Sequence, residues 1–176
     1  MEDTIVVELY QYLVEPTPEG FLDLRAAVAG LPGYAPYSGS LREGWALFEE
    51  EQFEKAKDLL ESELPGWILN PGIHQMLSFA WHKLGQEEAA QYEFAVAVAL
   101  LNAILSTGDG SKAQPYLVLY PTDEYDLLAY LEKRSTSQSL EMLGEKRYDC
   151  QTCDDGTEIW FDVTVPYAHL QKRYSK

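Results

Sequence analysis

Basic residues are scarce in this chain: 13 Lys and Arg stand against 29 Asp and Glu over 176 residues, a formal charge of −16. That balance excludes nucleic acid and anionic membrane as partners, because both present phosphate charge that the chain would repel. Cysteine is scarcer still. Two thiols, Cys150 and Cys153, build no disulfide framework, and a single C-x-x-C supplies half of the roughly four ligands that zinc takes. No apolar run is long enough to span a membrane as a helix, and Met1-Glu2-Asp3 opens with acid where a signal peptide carries base. A soluble, cytoplasmic protein is the expectation. There is no G-x-S-x-G, and His74 and His82 lie eight apart where H-E-x-x-H needs four. Ser78 between them falls on an expected helix, where a small spacer is the simpler role.

What is present is globular. Apolar residues make up 46% and charged residues 24%, which excludes wholesale disorder. The acidity is uneven: residues 1–65 hold 14 acids and 4 bases, while residues 66–114 hold 4 and 2. Thr4–Val14 reads as an amphipathic helix with apolar residues at 5, 6, 9, 10 and 13, ended by Pro16 and Pro18. Pro18–Gly30 reads as a second, with Phe21, Leu22, Leu24, Ala27 and Val28 on one side. Leu31–Ser40 is turn-rich.

Beyond it the chain repeats. Slid along itself so that Ala56 falls on Ala90, it also sets Glu54 on Glu88, Gln52 on Gln86, Leu60 on Phe94, Leu47 on Trp81 and Gly44 on Ser78. Each copy predicts two helices: Ser40–Glu51 with Phe53–Leu64, then Gly72–Leu84 with Glu87–Ser106. Ser40 and Glu43 have capping-box spacing. The pattern and its period resemble the tetratricopeptide repeat. Leu77, Trp81, Gly85, Ala90, Phe94 and Ala97 occupy its apolar and small positions, and the first copy departs with Glu51 and Glu63 where Gly and Ala are usual. Two copies fall short of the roughly three that bury a solenoid core, so both ends need covering.

The last third changes period. Gly108-Asp109-Gly110 stops the long helix, Pro115–Tyr120 is a short strand, and Thr122 is placed to cap a helix over Asp123–Arg134 with Tyr125, Leu128, Ala129 and Leu131 inward. Ser137–Leu143, Lys146–Thr152 and Thr157–Val165 read as strands, with Asp155-Gly156 as a hairpin turn. The expected fold is therefore α+β: about six helices in antiparallel hairpins over residues 1–110, then a β-α-β-β-β module over 111–176 with a mostly antiparallel sheet. The stretches LRAAVAGLPGYAPYS, HKLGQEEAAQYEF, TGDGSKAQPYLVLYPTDEYDLL, SQSL and IWFDVTVP together resemble a bacterial family of uncharacterised proteins, over about residues 12–167. That resemblance implies a tetratricopeptide-like helical body with a small α+β end, and no activity.

No residue set demands catalysis, a metal or a cofactor. Asp109, Asp123 and Glu124 are candidates for a cation site or enzyme, with His74 as a further candidate, since two or three carboxylates suit a hard cation. Thr107-Gly108-Asp109-Gly110 lacks the following helix of a phosphate loop; only Lys112 is near. Binding has more support. In the tetratricopeptide pattern the first helix of each pair lines a groove, which implies Leu41, Trp45 and Phe48 from one pair and Gln75, Phe79, His82 and Lys83 from the next. Three large apolar groups in a groove either lie under the chain's own termini or take a protein or peptide partner. A further reading is an acidic inhibitor or immunity-type protein that meets a basic partner with Glu49, Glu50, Glu51, Glu54, Asp58 and Glu61.

Overall fold

The computed structural model describes residues 2–174, with eight helices and four strands among them. The chain divides into two compact units, residues 1–100 and 101–176.

The first unit is helical: α1 (Glu2–Val14), α2 (Pro18–Ala29), α3 (Ser40–Glu49), α4 (Phe53–Trp67), α5 (Pro71–Lys83) and α6 (Glu87–Leu105), the last running on into the second unit. Helix starts follow local chemistry. Thr17 accepts from Gly20 N at 3.1 Å with Pro18 in the first helical position, and Asn70 accepts from Ile73 N at 2.8 Å ahead of Pro71. Ser40 does not cap α3. Gly39 stands there, and Ser40 Oγ instead donates to Glu63 Oε2 at 2.7 Å, tying α3 to α4. The expected stop before Pro65 also fails: α4 continues to Trp67 because Gly66 and Trp67 are packed inside the protein. In α1 the buried stripe is Ile5, Leu9 and Tyr12; Val6 and Tyr10 face solvent, as does Leu22 of α2. The core of this unit is built on Phe21, Val28, Leu60, Trp67, Ile73 and Leu77.

The two interhelical turns are copies of each other. Glu51 N and Gly85 N each bond a carbonyl three residues back at 3.0 Å, and Gln52 N and Gln86 N reach five residues back at 2.8 and 2.9 Å. Both central residues are left-handed, Glu51 at φ 55 and Gly85 at φ 75. Across the helices, Gly44 leaves room for the Met76 and Leu60 side chains, and Ser78 Oγ donates to Ala90 O at 2.8 Å. His74 is buried, bonded to Glu93 Oε2 at 2.6 Å and Ile68 O at 2.9 Å.

Among the described residues α6 is the one helix long and apolar enough to cross a membrane, with a mean hydropathy of 1.3. It also carries Glu88, Glu93 and Asn102. Val96, Ala97, Leu100, Leu101, Ala103 and Ile104 are buried within the protein.

In the second unit β1 (Tyr116–Leu117) precedes α7 (Thr122–Tyr130), β2 (Ser135–Leu143), β3 (Lys146–Cys153), β4 (Glu158–Asp162) and α8 (Thr164–Tyr174). The sheet order is β1-β4-β3-β2; β1 runs parallel to β4 and the other pairs are antiparallel, which is an α+β arrangement. Asp149 lies opposite Phe161 and Cys150 opposite Trp160. Gly156, at φ 82, turns β3 into β4. The Gly108–Gly110 helix stop stands, and a Cβ on Gly108 would lie 2.4 Å from Gln114 O.

Three expectations change here. Thr122 is the first helical residue and Pro121 stands in the cap position; Asp123 Oδ2 accepts from Leu119 N and Tyr120 N, both at 2.9 Å. On α7 the inward residues are Asp123, Glu124, Leu127 and Leu128, while Tyr125 and Ala129 face solvent. The final strand ends at Asp162, whose Oδ1 accepts from Thr164 N at 3.0 Å; Pro166 then sits in the first turn of α8, where its missing N–H costs nothing.

Candidate functional site

The groove expected from the first helices of the two pairs is an aromatic cluster on α3, α4 and α5. Trp45 meets Phe48 edge-on with ring centroids 5.6 Å apart, and Phe48 meets Phe79 at 5.1 Å and 77°. Such tilted contacts set the electron-poor edge of one ring on the face of another. Exposure separates their roles. Trp45 is 55% and Phe79 39% exposed, while Phe48 is 7% exposed. Phe48 is thus floor rather than contact surface, a correction to its expected place in the groove. Phe53, which the repeat alignment did not single out, completes the floor at 6.2 Å from Phe48 and 6.1 Å from Phe79. Its position at the start of α4, beside the turn, was the available signal.

Lys83 adds charge. Its Nζ lies 5.4 Å from the Phe79 centroid and 5.9 Å from that of Phe53, the geometry of a cation over aromatic faces. His82 is exposed and bonded through Nδ1 to Glu87 Oε1 at 2.8 Å. Leu41 is half-buried and Gln75 exposed.

The acidic residues Glu49, Glu50, Glu51, Glu54, Asp58 and Glu61 are all exposed. Lys57 stands among them, 3.1 Å from Glu54, 2.9 Å from Asp58 and 3.8 Å from Glu61. Hydrogen bonds that the ammonium donates to Asp58 and Glu54 hold it well above the usual lysine range, so part of this negative face is already compensated.

Asp109, Asp123 and Glu124 are not gathered. Asp109 is exposed and accepts from Ser111 N at 2.9 Å, and its bonds to Ser111 lower its carboxyl, whereas Asp123 is buried on backbone amides. Among the described residues no group of three His, Cys, Asp or Glu is placed to hold a metal ion. Cys150 and Cys153 are free and buried, and burial pushes both thiols up, away from the reactive thiolate.

Sequence reasoning missed one polar network, on the α7 side of the sheet. Gln151 Nε2 donates to Glu124 Oε2 at 2.7 Å and Ser135 Oγ donates to Gln151 Oε1 at 2.6 Å. Tyr125 Oη donates to Gln138 Oε1 at 2.8 Å, and Gln138 Nε2 donates to Asp149 Oδ2 at 2.6 Å. Glu124 and Asp149 lie close enough to influence each other's protonation. Burial pushes the Glu124 carboxyl up to about 8, with Asp149 and Asp123 adding negative charge nearby. Burial raises Asp149 as well. Glu124 is 1% exposed and thus out of reach of a substrate; as a neutral acid it can donate to Asp149 and hold α7 on the sheet. Strand pairing brings residues 138, 149 and 151 together and the packing of α7 adds 124, so no spacing in the chain announced them.

Residues 46–171 match the family described as a domain of unknown function, DUF4919. The chain belongs to this family. The matched span of this DUF4919 protein runs from Ala46 in α3 to Gln171 in α8, and so takes in Phe48, Phe53, Phe79, Lys83 and the Glu124 network. Trp45, α1 and α2 lie before it, as does the LRAAVAGLPGYAPYS stretch. No curated protein and no solved structure matches the DUF4919 chain.

Proposed function

We propose that this DUF4919 protein is a non-enzymatic interaction module, in which helix pairs of tetratricopeptide type hold a protein or peptide partner on the Trp45–Phe79 face. The observation that carries this reading is the stacking of two exposed rings on a buried aromatic floor, beside Lys83. An exposed tryptophan and phenylalanine held by ring contacts lose little side-chain entropy when a partner covers them, which is what makes aromatic anchors effective. The partner presents a large apolar side chain between Trp45 and Phe79. A charge of −16 favours a partner of net positive charge, drawn in over the Debye length. Two unpaired thiols suit the reducing cytoplasm.

The test is a pull-down with wild type and the Trp45→Ala/Phe79→Ala double variant, each checked for fold by circular dichroism. A partner that wild type retains and the folded double variant releases supports the module. Retention of every partner by the folded double variant overturns it.

A further inference from the structure

We propose that the outer edge of β2 is a self-association site, where a second copy of this chain adds its own β2 antiparallel and extends the sheet. In the order β1-β4-β3-β2 the strand β2 stands last, and no strand among the described residues lies beyond it. Natural sheets blunt such an edge with lysine, proline, a bulge or a very short strand, because its unpaired backbone groups are a template for another chain. Here β2 is nine residues long and contains no Lys, Arg, Pro or Gly. Its bulge is confined to Ser135–Ser137, and residues 136–140 are all exposed.

The ladder fixes which backbone groups face outward. Val163 N donates to Arg147 O at 2.9 Å and Cys153 N donates to Thr157 O at 2.8 Å, so residues 147, 149, 151 and 153 turn their groups to β4. Residues 148, 150 and 152 therefore serve β2, where their partners are Glu141, Ser139 and Ser137. The amides and carbonyls of Gln138, Leu140 and Met142 point the other way, out from the edge.

Charge and register name the occupant. Two chains of −16 repel each other over most of their surface, but β2 holds one charged residue, Glu141, and Lys112 Nζ stands 2.6 Å from its Oε2. The edge is thus a neutral strip where two copies can meet, and it offers a charged peptide no opposite charge. A two-fold axis through Leu140 sets that residue against its own copy and Gln138 against Met142. Outward groups then meet outward groups, in about six hydrogen bonds. Leu140 (47% exposed) and Met142 (64% exposed) form one apolar row across the seam, and Glu141 faces Ser139. An axis through Glu141 would oppose like charges. One through Ser139 would set Leu140 against Gln138 and Met142 against Thr136, with no apolar pair directly opposed.

Sedimentation equilibrium of the whole protein over a range of concentrations tests the interface. The expected result is a monomer–dimer equilibrium that tightens as salt rises, since salt screens the repulsion between two acidic chains and spares backbone bonds and apolar contacts. Leu140→Lys, checked for fold by circular dichroism, opposes two ammonium groups and weakens the dimer by about tenfold or more. Tyr10→Lys, the same kind of change at an exposed residue of α1, leaves it unchanged. Trp45→Ala/Phe79→Ala also leaves it unchanged, so that failure here and failure of the aromatic face are read separately. Under mild oxidation Leu140→Cys gives a disulfide-linked dimer, because the Cα atoms of a hydrogen-bonded pair lie about 5.5 Å apart. Ser139→Cys and Glu141→Cys, which face each other's positions and not their own, do not. A wild type that stays monomeric at the highest concentration overturns the proposal. So does a dimer that folded Leu140→Lys retains or that Tyr10→Lys weakens equally, and so does stronger cross-linking at 139 or 141 than at 140.

Discussion

Glu51 and Gly85 occupy the same place in the two interhelical turns, and both adopt left-handed backbone, at φ 55 and φ 75. The residues that follow them, Gln52 and Gln86, repeat the same hydrogen bond at 2.8 and 2.9 Å. The turn therefore dictates the conformation whether or not the residue suits it. Glycine has no Cβ to crowd the following carbonyl; glutamate does.

Glu51→Gly removes that strain. The expected gain is about 1 kcal/mol, partly offset by the greater freedom of glycine in the unfolded chain, for a net rise in Tm of roughly 1–3 °C. Gly85→Ala is expected to lower Tm by a similar amount. Thermal melts followed by circular dichroism read both; no rise for Glu51→Gly shows that the left-handed residue carries no strain here.

Glu124 ties stability to pH. Its carboxyl titrates near pH 8 in the fold and near 4.5 when exposed, so between those values the folded state holds a proton that the unfolded state has released. Stability from this group is complete below about pH 4.5 and declines as pH rises to 8, by up to about 1.4 kcal/mol per pH unit. Asp149, also raised, acts in the same direction. Glu124→Gln keeps a neutral donor and acceptor and loses the proton. Its Tm relative to wild type is expected to climb between pH 5 and 8 and then level off. A constant difference across that window would falsify the assignment.

Two glycines on packed helices predict opposite responses to one methyl group. A Cβ on Gly66 would lie 2.2 Å from the Gly33 carbonyl oxygen, which is backbone and cannot step aside. Gly66→Ala is expected to cost about 1–3 kcal/mol as overpacking. A Cβ on Gly44 meets the tip of Met76 at 2.8 Å, and a methionine end can swing away. With roughly 1 kcal/mol of helix propensity returned, Gly44→Ala is expected to be near neutral. Equal denaturation midpoints for the two variants would contradict this packing.

The aromatic cluster divides stability from binding. Phe48→Ala empties the buried floor and is expected to cost about 3–5 kcal/mol. Trp45→Ala removes an exposed ring and its contact with Phe48, worth about 1 kcal/mol. Urea titrations distinguish the two, and a cost for Trp45→Ala as large as for Phe48→Ala would make both rings structural.

Much of this architecture is written locally. The repeat spacing, Pro18 and Pro71 at helix starts, and the glycines at 85 and 156 each impose their element through nearby backbone geometry, and these elements stand where the chain places them. Helix α8 was hidden because its first turn follows a β-rich run and opens with Val-Pro; the Asp162 side chain, not periodicity, starts it. Of the aromatic site, the resemblance to the tetratricopeptide pattern implied Trp45 and Phe79, since both fall on the first helix of a pair. It could not tell that Phe48 is floor or that Phe53 joins it, because burial depends on which helices approach.

The periodic apolar residues and the turn residues between them determined by themselves that this chain forms helices and then a small sheet. Tertiary structure alone decided which acids are buried. Lys57 meets three carboxylates through the spacing of its own helix, whereas the packing of α7 on the sheet buries Glu124 against Gln151 of β3 from a distant part of the sequence. The reason is physical: propensity and capping act within a turn or two, whereas desolvation and Coulomb forces act between whatever the fold brings within a few ångströms.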